Sequence, residues 1–277
     1  MDAPTTTLSR PTGADPFGNH LRYWRHRRRL SQLELAAQAE LSTRHLSYVE
    51  TGRASPGRDV VLRLAERLEV PLRERNALLV AAGYAPMYHQ RGLDDPSMAA
   101  ARRAIDILLK AHEPCPALAI DRHWTLVTAN AMVPLFLNGV APALLEGPIN
   151  VLRLSLHPLG LAPRIANLRQ WRQHLLERLQ HEITLTGDEI LLALLQELAA
   201  YPVPATGPST SSTAAAQDLA GLVVPVQLIT DGGILSFIST TTVFGTPVDV
   251  TLQELAIESF FPADEATAVA LRQLSKG

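Results

Sequence analysis

Thr43, Arg44, Ser47 and Tyr48 carry a guanidinium, two hydroxyls and a phenol at a spacing that turns all four to one side of a short helix. Such a polar face suits the DNA major groove, where base edges offer acceptors and donors and the flanking phosphates accept hydrogen bonds. Leu46 and Val49, three residues apart, must then point inward, with Ala39 and Leu41 available beneath them. Ser42 stands where an N-cap opens that helix.

The element that must hold this face is the stretch SQLELAAQAELSTRHLSYVE, residues 31–50, which reads as two short helices joined by a tight turn. Ser31 and Glu34 have capping-box spacing, so the first helix is expected to begin at Ser31. Leu33, Leu35 and Ala36 are its expected apolar side, and Leu41 lies in the turn.

The longer stretch SQLELAAQAELSTRHLSYVETGRASP resembles the helix-turn-helix of the Cro/cI-type (Xre) repressor family, through S-Q-x-E-L-A, a hydroxyl-capped second helix and the closing E-x-G-x-x-x-P. The resemblance extends from LRYWRHRRRL to RLAERLEVPLRERNALLVAAGYAP, about a third of the chain. It implies an all-α bundle of five helices in which Thr43, Arg44 and Tyr48 reach bases while Gln32 and the Gly52-Arg53 loop hold phosphates. The DNA-contacting set is therefore expected to be Gln32, Ser42, Thr43, Arg44, His45, Ser47, Tyr48 and Arg53. The resemblance also implies a buried ion pair between Arg25 and Glu50, consistent with a charged residue on the inward side of the first helix. Glu40 occupies a turn position where glycine commonly sits, so a slightly altered turn is expected.

Charge distribution agrees with this reading. The chain of 277 residues has a formal net charge of −2. Residues 1–92 hold 14 arginines against 9 acidic residues, or +5, and the remainder holds 11 basic against 18 acidic residues, or −7. Positive charge thus collects where phosphate would be met. A hydrophobic fraction of 47% supports ample core, and the length suits two domains. No apolar run approaches the ~20 residues needed to cross a bilayer and no signal peptide opens the chain, so a cytoplasmic protein without membrane contact is expected. The single cysteine, Cys115, reads as a packed small residue.

Along the chain, residues 1–18 read as a disordered tail, 19–83 as the helix-turn-helix domain with a helix starting at Ser55-Pro56, and 84–96 as a linker. The helix after it, residues 97–112, could pack on the second domain or serve as a dimer stalk. Residues 97–277 read as an α+β domain. Its strands are expected in ALAID and WTLVTAN, in LVVPVQLIT and ILSFISTTTVFG around Asp231-Gly232-Gly233, and in VDVTLQEL. Helices are expected over 162–183 and 189–201, with a flexible loop over 202–216. The order suggests one five-stranded antiparallel sheet with the middle helices over one face.

The stretches PALAIDRHWTLVTANAMVPLF, INVLRLSLHPLGLAPRIANLRQW and LVVPVQLITDGGILSFISTTTVFGTPVDVTLQELAIESFFPADEATA resemble the ligand-binding domain of MmyB-like transcription regulators. That resemblance implies a PAS-like fold with a pocket for a small, apolar effector such as a fatty acid. Trp124, Phe136, Trp171, Phe237 and Phe244 could line such a cavity, and Asn130, Arg169 and Arg172 could orient a polar head. Taken one by one, these aromatics also read as plain core and the arginines as solvated side chains.

Common signatures of enzymes and metal sites are absent: there is no GxSxG, HExxH, CxxC, GxxxxGK[ST] or GxGxxG. His174 and His181 share a helix face without ligand-spaced partners, so no metal and no resident cofactor are expected. The leading reading is a non-enzymatic, sequence-specific transcription regulator that binds double-stranded DNA as a homodimer and answers to a small-molecule effector. Two alternatives are a helical protein-docking module and a DNA-tethered hydrolase.

Overall fold

A computed structural model describes residues 11, 15–203, 223–245, 247 and 249–276. The chain divides into two compact units, residues 1–91 with 248–250, and residues 92–247 with 251–277. The predicted tail and the predicted loop at 202–216 lie mostly outside the described residues, but Phe17 and Gly18, placed in the tail by sequence, already belong to the first helix.

Among the described residues the first unit is built from five helices: α1 (Phe17–Arg27), α2 (Gln32–Gln38), α3 (Thr43–Glu50), α4 (Arg58–Arg67) and α5 (Leu72–Ala81). Leu21, Trp24, Leu35, Leu46, Leu64 and Leu79 meet at its centre, each no more than 1% exposed. Both halves of the capping box form at the start of α2: the Glu34 N–H donates to Ser31 Oγ at 3.2 Å and the Ser31 N–H to Glu34 Oε2 at 2.7 Å.

The five helices end alike. Arg29, Glu40, Gly52, Glu69 and Gly83 follow the helix ends with φ of 54°, 55°, 72°, 48° and 86°. The next N–H in each case reaches back to close the last turn: Leu30 to the Arg25 carbonyl, Leu41 to Ala36, Arg53 to Tyr48, Val70 to Ala65 and Tyr84 to Leu79, at 2.8–3.1 Å. This is the Schellman arrangement, which satisfies carbonyls that a helix end would leave open. Three of the five use a charged side chain where glycine would be unstrained, at about 1–2 kcal/mol each. Burial of the following apolar residue, Leu30, Leu41 or Val70, offsets that cost. The turn at Glu40 is therefore not altered as expected; the backbone takes the left-handed shape that a glycine would have given it.

Two further expectations are corrected here. Leu33 faces outward, 68% exposed, because Leu35, Ala36 and Ala39 already fill the inner side of α2. Helix α4 starts at Arg58 with Gly57 as its N-cap, not at Ser55-Pro56, since Pro56 is buried and its carbonyl accepts the Tyr84 hydroxyl at 3.1 Å.

The second unit opens with α6 (Ala99–Ala111) and holds, among the described residues, one five-stranded antiparallel sheet of order β2-β1-β5-β4-β3. Its strands are β1 (Ala117–Ile120), β2 (Leu126–Ala129), β3 (Val226–Thr230), β4 (Gly233–Val243) and β5 (Ala256–Pro262). Helices α7 (Val151–Leu156), α8 (Leu168–Thr186) and α9 (Glu189–Ala200) lie between β2 and β3; α10 (Val250–Gln253) and α11 (Glu265–Leu274) flank β5. Both faces of the sheet are packed over its central part. Leu118, Ile120 and Phe237 join Trp171, Leu175 and Leu179 of α8, whereas Ala117, Ala119 and Ile257 pack against Ile105 and Leu109 of α6. Helix α6 is thus seated on the sheet.

Three element expectations shift. Within VDVTLQEL, Val250–Gln253 form the single turn α10, and the last strand is AIESFFP; the polar Glu258 and Ser259 are buried at its centre, so it shows neither an apolar run nor a clean alternation. Helix α8 begins at Leu168, after a 3₁₀ turn at Ala162–Arg164. Trp124, expected in a strand, sits in the β1–β2 turn at φ 65°, where the Asp121 carboxylate accepts the N–H groups of His123 and Thr125 at 2.8 Å each.

Candidate nucleic-acid interface and ligand cavity

The reading face is set by how α3 is anchored. Its Ser42 cap accepts the His45 N–H at 3.1 Å, so this hydroxyl oxygen starts the helix. Gly18 of α1 lies so close that a Cβ there would meet the Glu50 carbonyl oxygen at 2.3 Å, which fixes the far end of α3 against α1. At the same end Arg25 donates from Nε to Glu50 Oε1 at 2.6 Å and from Nη2 to Oε2 at 3.0 Å, while its Nη1 reaches the Leu30 carbonyl at 2.9 Å. Gln32 Nε2 adds a bond to Glu50 Oε2 at 2.7 Å. Burial pushes the Glu50 carboxyl up, but the hydrogen bonds from Arg25 and Gln32 and the charges of Arg25 and Arg22 outweigh it, holding the group below the usual range.

With Leu46 and Val49 buried, Thr43 and Arg44 are exposed and His45, Ser47 and Tyr48 are half-buried. Arg44 Nε donates to the Tyr48 hydroxyl at 3.1 Å, and its guanidinium lies 5.3 Å from the ring centroid. Arg53, exposed after the Gly52 turn, approaches the same ring at 6.0 Å. Tyr48 therefore organises both cations by cation–π attraction, lowering the ordering cost of contacts they make. One amide proton of Gln32 is committed to Glu50, and the second remains available to donate.

In the second unit a cavity of about 140 Å³ lies between the sheet and α7–α8. Trp124, Phe136, Trp171 and Phe237 line it, together with Leu152, Ile165 and Phe260. Four of the expected residues fall elsewhere. Asn130 is a buried backbone clamp that accepts the Ala117 N–H at 3.2 Å and donates to the Cys115 and Leu109 carbonyls at 2.8 and 3.2 Å. Phe244 packs on the α6 side of the sheet, and Arg169 is exposed on α8. Arg172 closes the C-terminus of α9 through the Ala199 carbonyl at 2.6 Å.

The cavity's polar members are ones that sequence reasoning passed over: Ser155, Arg178 and Glu258. Their signals were present. Arg178 follows Trp171 and Leu175 at helical spacing on the core stripe, and Glu258 shares a strand face with Ala256 and Phe260. Arg178 donates from Nη1 to Glu258 Oε2 at 3.1 Å and from Nη2 to Glu258 Oε1 at 2.5 Å and Thr241 Oγ1 at 2.7 Å. Its guanidinium lies 4.4 Å from the Trp124 ring centroid. Trp171 Nε1 donates to Ser155 Oγ at 3.0 Å. Among the described residues no group of three or more His, Cys, Asp or Glu side chains converges to hold a metal, and no helix is long and apolar enough to cross a membrane.

A helical bundle with a capped, polar-faced helix and an α+β unit around an apolar cavity together define a DNA-binding transcription regulator with a ligand-sensing domain. The family model for the MmyB-like transcription regulator ligand binding domain matches residues 101–274, well over half of the chain, and a helix-turn-helix domain model matches residues 16–78. The chain belongs to the MmyB-like family of transcription regulators. No curated protein matches it.

Proposed function

We propose that the protein binds a specific DNA sequence as a homodimer, laying α3 in the major groove, and that its second unit is a PAS-like sensor for a small molecule with a largely apolar body such as an acyl chain. The observation that carries the DNA half is the exposed Thr43–Arg44 start of α3 beside Tyr48, with both ends of the helix fixed by Ser42 and by the Arg25–Glu50 pair. Thr43, Arg44 and Tyr48 are assigned to base edges, Gln32 and Arg53 to phosphates, with His45 and Ser47 beside them. One module of this size buries little DNA surface. Paired half-sites about one helical turn (~34 Å) apart restore affinity and select a symmetric operator, which favours the dimer. The apolar cavity supports the effector half.

Selection of duplexes from a random pool, followed by fluorescence anisotropy on the winner and its scrambled counterpart, tests the DNA assignment. The expected result is preference for the selected duplex and binding that weakens steeply with salt. Indifference to every duplex at low ionic strength overturns it.

A further inference from the structure

On the outer side of α3, Arg44 Nε donates to the Tyr48 hydroxyl at 3.1 Å, and the guanidinium lies 5.3 Å from the centroid of that ring. We infer that Arg44 reads a guanine in each half-site of the operator, and that Tyr48 is the positioning residue behind this choice, because it occupies Nε and leaves the two Nη groups to face the base. The inference rests on the reading of α3 as the helix that enters the major groove, and adds the base that the groove must present.

A guanidinium can meet a pair of acceptors along its side, with Nε and one Nη, or at its end, with Nη1 and Nη2. In Arg44 the side is taken. Nε is committed to Tyr48 Oη, and that is the one hydrogen bond the guanidinium makes among the described residues. The end remains available on an exposed side chain whose helix is fixed: Ser42 caps the start of α3, Arg25 grips Glu50 at its far end, and Leu46 and Val49 are sealed beneath. Cation–π attraction to the ring holds the fork in place before DNA arrives, so less side-chain freedom is lost on binding.

Two donors side by side fit one base edge. In the major groove guanine offers O6 and N7, both acceptors; adenine sets its N6 amino donor beside N7, thymine sets a methyl beside O4, and cytosine offers a donor. Adenine or cytosine at this position leaves a donor facing a donor. The composition of α3 points the same way. Between Thr43 and Glu50 there is no asparagine or glutamine to pair with adenine, and the one carboxylate, Glu50, is 3% exposed and held by Arg25, so it does not face a cytosine amino group. Tyr48 Oη, having accepted from Nε, keeps its own proton for a neighbouring acceptor, so the phenol retains its place at a base edge.

The test uses the full chain and the duplex it selects from a random pool, with each guanine replaced in turn by 7-deazaguanine, which pairs normally but lacks the N7 acceptor. Fluorescence anisotropy is expected to show wild-type affinity falling roughly fivefold or more at one guanine of each half-site. Arg44→Ala should show no fall at that guanine, and Tyr48→Phe, which keeps the ring but not the acceptor, less than half of it. A selected duplex in which no guanine responds, or a response that survives intact in Arg44→Ala, overturns the guanine assignment and leaves the DNA reading standing. A Tyr48→Phe response equal to wild type overturns the positioning role. Should either variant fail to fold, the wild-type scan decides alone. If no duplex is preferred over its scrambled counterpart, the DNA reading itself falls and takes the inference with it.

Discussion

Arg25 and Glu50 meet edge to edge, Nε to Oε1 at 2.6 Å and Nη2 to Oε2 at 3.0 Å, so that a side chain of α1 holds the last residue of the reading helix. Arg25→Ala leaves the Glu50 carboxylate buried without its main partner. It is expected to destabilise the first unit by about 3–5 kcal/mol. Thermal melts followed by circular dichroism check this, and an unchanged midpoint would refute it. The pH dependence has a definite sign. The Glu50 carboxyl is held below its ordinary value in the folded state, so its stabilisation is present above the unfolded value and is lost as pH falls through the depressed one, below about pH 4. Wild type should lose more stability than Arg25→Ala between pH 7 and pH 3.

Arg44 and Arg53 approach the same tyrosine, but only Arg44 stands at the exposed start of α3. Arg44→Ala is expected to lose about 1–3 kcal/mol of discrimination at one base position, while Arg53→Ala weakens binding to all sequences alike and shallows the salt slope. Duplex selection and salt titrations with both variants distinguish the roles; identical behaviour of the two would contradict the division.

Glu40 adopts φ 55° at the turn between α2 and α3 and makes one loose, exposed ion pair with Arg63 at 3.8 Å. Relief of about 1–2 kcal/mol of left-handed strain, less about 0.5–1 kcal/mol for the greater freedom of unfolded glycine, leaves Glu40→Gly neutral to about 1.5 kcal/mol more stable. Glu40→Val, branched at Cβ, should be destabilised by more than about 1 kcal/mol. Denaturant midpoints measure both, and a loss of stability in Glu40→Gly would show that the carboxylate matters more than the backbone.

Much of the first unit could be read from the chain because its signals are local: caps at Ser31 and Ser42, apolar residues at helical spacing, and Gly52 and Gly83 as stops. The ends at Arg29, Glu40 and Glu69 were harder to read because nothing in a charged residue announces a left-handed backbone; the signal is the apolar residue that follows. In the second unit the two-residue hairpin around Asp231-Gly232 was legible, whereas β5 was masked by the polar Glu258 and Ser259 buried at its centre. The aromatic half of the cavity could be named from sequence, but its polar half could not. Residues 178, 241 and 258 are brought together only by helix-on-sheet packing, and the sequence around Asn130 carries no sign of the four backbone partners that commit its side chain to the fold.

The chain has three tryptophans, and the fold sorts them by task. Trp24 is sealed in the helical bundle, while Trp124 and Trp171 stand in the cavity wall with their indole N–H groups held by Glu182 and Ser155. The molecule thus carries its own optical probes: emission from the cavity pair should respond when an effector enters, and Trp24 should stay silent until its bundle melts. Replacing Trp24 with phenylalanine would leave a chain whose native fluorescence reports occupancy alone, without any attached dye.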